Sequence, residues 1–109
     1  MQIYSRIDTL EKSRAFLELL TWEFKNFQEF LQICDPLSKS EEAAILNTFM
    51  VTFEGIATMV KMGFIDLHQI ATLMGGGIIR YWGKFDPIKE DIREYMNYPR
   101  WASETESLF

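Results

Sequence analysis

Cysteine, histidine and proline are all scarce in this chain of 109 residues: one, one and three respectively. A single cysteine excludes an intramolecular disulfide and a zinc site built from cysteines alone, and it suits a reducing cytosol. One histidine, with no Glu-x-x-His motif, leaves the helical carboxylate–histidine metal designs without ligands. No cofactor or metal is therefore expected. The opening MQIYSRIDTLEKSR has no apolar run, so no secretory signal is read and a cytoplasmic location is expected. Strand-like alternation of apolar and polar residues is absent throughout. Clustered positive charge is also missing, and the net charge of −5 excludes nucleic acid as an expected partner.

What is present is apolar and helical in period. Hydrophobic residues make up 48% of the chain and aromatics 15%, enough for one core, so residues 1–109 read as a single helical domain. From Ala43 to Val60 only Glu54 is charged, which predicts a helix that the others pack around. Asn47, Glu54 and the threonines of that stretch argue for a core helix over a membrane span. Leu10, Leu17, Leu20, Phe24, Phe27, Leu31 and Cys34 form a heptad-like series, predicting one helix from about Asp8 to Cys34. Ser38 and Glu41 predict the cap of the second helix, and Gly63 with Phe64 its Schellman stop. Asp66 with Gln69 opens a third helix from Leu67 to about Gly83, and Asp86-Pro87 opens a fourth. The expected fold is an all-α, four-helix bundle-like domain of two antiparallel pairs, with a short C-terminal helical turn anchored by Trp101.

The segment TFEGIATMVKMGFIDLHQIATLMGGGIIRYWGKFDPIKEDI, followed by NYPRW, carries an ordered set of short motifs. Phenylalanine-glutamate, lysine-x-glycine-x-isoleucine-aspartate, glycines beside apolar residues, arginine-tyrosine-tryptophan and proline-isoleucine occur in that order. Over roughly residues 46–101 the chain resembles a family of prokaryotic all-helical domains catalogued as a domain of unknown function. The resemblance implies a helical fold and carries no catalytic residues across. Many members place a hydrophobic membrane-spanning segment ahead of the domain; none is read in this sequence, so this chain does not itself require a membrane.

Several residues stand out against that background. Glu54 shares a narrow polar stripe with Asn47, Thr58 and Lys61; either the stripe faces solvent, or Glu54 forms a register-fixing ion pair with Arg80. Gly75, Gly76 and Gly77 interrupt the third helix, where three glycines cost roughly 2–3 kcal/mol against alanine. Close helix packing or a break is expected there; the strand and Lys-Ser/Thr of a phosphate loop are missing. Cys34 reads as a core residue and His68 as a surface or capping residue. Tyr81, Trp82, Phe85, Tyr95, Tyr98 and Trp101 read as a seal on one end of the bundle, or as a groove.

No catalytic constellation emerges, so an enzyme is the least expected class. A non-catalytic interaction or oligomerisation module is expected, as a homodimer or with another protein. Trp22, Ile33, Tyr81, Trp82 and Trp101 are its candidate interface residues. The alternative is a regulatory domain holding a small apolar ligand between helices, lined by Met and Phe and closed by Arg80 or Glu54.

Overall fold

The computed structural model describes residues 2–74 and 76–109, with side-chain detail for residues 10–70, 72 and 76–109. Every regular element among them is helical. The α-helices are α1 (Gln2–Thr21), α2 (Phe27–Ile33), α3 (Glu41–Lys61), α4 (Leu67–Met74), α5 (Gly77–Phe85), α6 (Lys89–Tyr95) and α7 (Ser103–Glu106), with a 3-10 turn at Asp86–Ile88. The all-α class and the C-terminal turn are as the sequence predicts. Two of the four predicted helices are each divided in two.

The first division falls between Thr21 and Phe27. Asn26 has extended backbone, and its side chain accepts from the Glu29 N–H at 2.9 Å. The Glu29 carboxylate in turn accepts from the Lys25 N–H at 3.0 Å. This reciprocal cap starts a new helix, while Trp22 turns inward to 6% exposure. The heptad series runs on across the corner, because both helices bury residues in the same core. Leu10 and Leu17, the first members of that series, are exposed.

α3 begins at Ser40, whose hydroxyl accepts from the Ala43 N–H at 3.1 Å; Ser38, the predicted cap, lies 2.7 Å from the Ser40 hydroxyl. It ends as predicted in a Schellman motif. Gly63 sits at φ +83°, its N–H donates to Val60 O at 3.0 Å, and the Phe64 N–H donates to Met59 O at 2.9 Å. The Phe64 ring stays exposed. Asp66 and Gln69 cap α4 reciprocally, at 2.6 and 3.0 Å. α6 closes with a second Schellman motif around Asn97, at φ 51°, with the Tyr98 N–H on Arg93 O at 2.9 Å.

The second division separates α4 from α5 at the glycine run. Gly75 lies outside the described residues. Gly76 precedes the first residue of α5, so a break is found there. Gly77 also serves close packing: a Cβ added to it would lie 3.1 Å from the Phe16 ring of α1. That ring packs on Phe49 and Phe53 of α3, with centroids 5.0 and 5.8 Å away. The aromatic chain continues from Phe53 to Tyr81 at 4.5 Å, and from Tyr81 to Phe85 at 5.1 Å. α3 is thus the hub, burying Ala43, Ile45, Leu46, Phe49, Met50, Phe53 and Ala57. By length and composition α3 is also apolar enough to cross a membrane; here it packs against α1 and α7.

Two glycine substitutions separate propensity from packing. Gly55 is exposed in α3, and a Cβ there would project into open space, so Gly55→Ala should stabilise by about 1 kcal/mol and raise Tm by several degrees. Gly77→Ala gains the same propensity but pushes Phe16 against Phe49, and should melt no higher than the parent. Thermal unfolding by circular dichroism reads both; a higher Tm for Gly77→Ala would refute the close-packing role.

Candidate functional site

Glu54 is half-buried on α3, and its carboxylate caps α7. One oxygen accepts from the Thr105 N–H and hydroxyl, both at 2.7 Å, and the other from the Glu104 N–H at 3.1 Å. The reason lies in the local sequence of α7. Ala102 stands at its N-cap position with φ 58° and has no side-chain acceptor. The orphan N–H groups of the first turn therefore need an acceptor from elsewhere, and Glu54 supplies an anion at the positive helix end. Asn47, Thr58 and Lys61 on the same stripe are exposed, as a solvent seam requires.

The Glu54–Arg80 pair is not formed. The buried guanidinium is instead Arg93 of α6, 9% exposed. Its Nε donates to Trp101 O at 2.8 Å, and its two terminal nitrogens reach Glu90 at 2.7 Å and Glu106 at 3.1 Å. Glu106 also lies 3.6 Å from Lys89. Arg93 thus holds the chain on either side of the turn that Glu54 caps, at the buried Trp101 and at Glu106. Sequence reasoning missed Arg93, although its spacing from Glu90, one helical turn away, was a signal for a local ion pair.

Arg80 lines an open cleft of about 710 Å³ at the α1–α2 corner. Leu20, Phe24, Pro87 and Ile88 supply apolar wall, Glu23 and Glu29 carboxylates, and Lys25, Arg80 and Lys84 cations. Lys84 donates to the Trp22 carbonyl at the end of α1 and lies 5.5 Å from the centre of the Phe24 ring. Burial, opposed by Glu23 and reinforced by Arg80, lowers its pKa. No methionine lines this cleft, and Glu54 is elsewhere.

The remaining candidates are chemically quiet. Cys34 is 1% exposed, and burial, with the charges of Glu42 and Asp35, pushes its thiol up to about 12. His68 is exposed in the first turn of α4. The Tyr81 hydroxyl is buried without a protein hydrogen-bond partner among the described residues, and burial followed by the nearby Glu54 charge raises its pKa. Among the described residues no group of three His, Cys, Asp or Glu is arranged to hold a metal. The candidate interface residues are corrected too: Trp22, Tyr81, Trp82 and Trp101 are buried, and Ile33 is half-buried. These large side chains seal the core, because nowhere else in a small domain can such area be hidden. Tyr95 and Tyr98 remain exposed, with the Tyr95 hydroxyl donating to Asp35 at 3.0 Å.

A family model described as Domain of unknown function (DUF4760) matches residues 2–109. The chain belongs to that family. The match extends the resemblance seen over residues 46–101 to almost the whole chain, α1 and α7 included. No curated protein and no solved structure matches it.

Two tests follow from this geometry. Glu54→Gln replaces one acceptor oxygen with an N–H donor facing the Glu104 or Thr105 N–H, and should cost about 2 kcal/mol while accelerating hydrogen exchange in α7. Tyr81→Phe removes a hydroxyl without a protein partner and should leave Tm unchanged or raise it. Unchanged exchange in the first variant, or a drop of several degrees in the second, would refute the respective assignment. For Cys34 the folded state keeps its proton from about pH 9 to about 12 while the unfolded thiol loses it. Stability should therefore fall as pH rises through that window, and a Cys34→Ser variant should show a shallower fall in urea titrations.

Proposed function

We propose that this domain is a non-catalytic interaction module that self-associates through α1 in the cytoplasm. The observation that carries this reading is a pair of leucines on α1 turned to solvent. Leu10 and Leu17 are 55% and 62% exposed and lie one heptad apart, on the side turned away from Phe16 and Leu19. Exposed leucines gain free energy when buried, so this stripe gains from a partner surface. A second copy of α1 offers the same apolar stripe, as a two-fold interface requires. The inert state of Cys34 and Tyr81 supports a role in binding over catalysis. A ligand between helices is the second reading, favoured by the cleft at the α1–α2 corner.

Light scattering across micromolar to millimolar protein should report a dimer mass. Each leucine side chain contributes about 1.5–3 kcal/mol when fully buried, so Leu10→Glu with Leu17→Glu should yield a monomer with unchanged helical content. A parent that stays monomeric at millimolar concentration would sink the reading. A double variant that stays dimeric would move the interface away from α1.

A further inference from the structure

We propose that the cleft between the α1–α2 corner and α5 binds a monoanionic amphiphile, an organic carboxylate carrying an apolar tail. The inference stands independently of self-association. At about 710 Å³ the cleft falls within the range of about 300–1,000 Å³ usual for small-molecule sites. Its three cations are not equivalent. Lys84 is engaged by the Trp22 carbonyl and the Phe24 ring. Arg80, one turn before Gly83 on the same helix, has no ion pair or side-chain hydrogen bond among the described residues. A planar guanidinium without a partner, standing beside apolar wall, is a two-pronged donor for a carboxylate.

The charge count selects the valence of the ligand. Three cations against Glu23 and Glu29 leave one net positive charge. A carboxylate balances that charge, whereas a phosphate dianion would meet the two acidic side chains in excess. Leu20 and Phe24, both half-buried, then offer the tail a surface that water covers poorly. Gly83 keeps the wall open: a Cβ built there meets nothing within 4 Å, so a side chain at this position starts into the cleft unobstructed.

Calorimetric titration of the full chain with octanoate, 1-octanol and octyl phosphate tests the proposal. Octanoate should saturate one site, with 1-octanol and octyl phosphate each at least about tenfold weaker. Arg80→Met should reduce octanoate to the level of the alcohol, and Gly83→Leu should abolish binding of both. Arg80 is exposed and its replacement leaves the core intact, so that variant decides the matter if Gly83→Leu fails to fold. No saturation by octanoate at millimolar concentration would overturn the proposal. So would alcohol or phosphate ester binding as tightly as the acid, or octanoate affinity unchanged in Arg80→Met.

Discussion

A carboxylate on the central helix holds the end of the chain in place. Glu54 reaches across to the first turn of α7 and accepts three hydrogen bonds from a helix of only four residues. So short a helix has no stability of its own, since nucleation costs more than a few backbone bonds return. Its N-cap residue, Ala102, is moreover held in the left-handed region, at a cost of roughly 1–2 kcal/mol for a side chain with a Cβ. The turn persists because an anion meets its orphan N–H groups and because Trp101, just before it, is buried against Phe85. Without that clasp, Trp101 and the aromatic chain behind it would lose their cover.

The other partly buried charges act in the same way, on backbone as much as on each other. Arg93 donates to the Trp101 carbonyl, and Lys84 to the Trp22 carbonyl. Both carbonyls lie where the chain leaves a helix or enters a turn, and so lack an internal partner. In a domain this small, three long polar side chains satisfy corners that regular structure leaves open. Breaking one buried arrangement exposes an uncompensated charge and costs more than the pair contributes to stability.

Among the surfaces left exposed by the described residues, two bear on the proposed contacts. One is the side of α1 that carries Leu10 and Leu17, both turned to solvent. The other is the cleft under Arg80, where an apolar wall and an unengaged guanidinium meet. They adjoin on α1: Leu17 is exposed, while Leu20, one turn on, lines the cleft. Neither proposed contact uses the buried thiol or phenol.

The chain's own order of residues was enough to establish the helical class, the hub role of α3, the Gly63 and Asp66–Gln69 boundaries, and burial of Cys34. Each of these rests on local periodicity or on a cap only a few residues long. The Asn26–Glu29 cap was equally local, yet an uninterrupted heptad series masked it. What only tertiary structure decided was the fate of the charges. Glu54 meets a turn fifty residues away, and Arg93 rather than Arg80 enters the core. Such choices depend on which helix ends come together in space and which carbonyl or N–H groups are left without partners there. No spacing along one helix encodes that, because the need for the charge arises on a different element from the one that carries it.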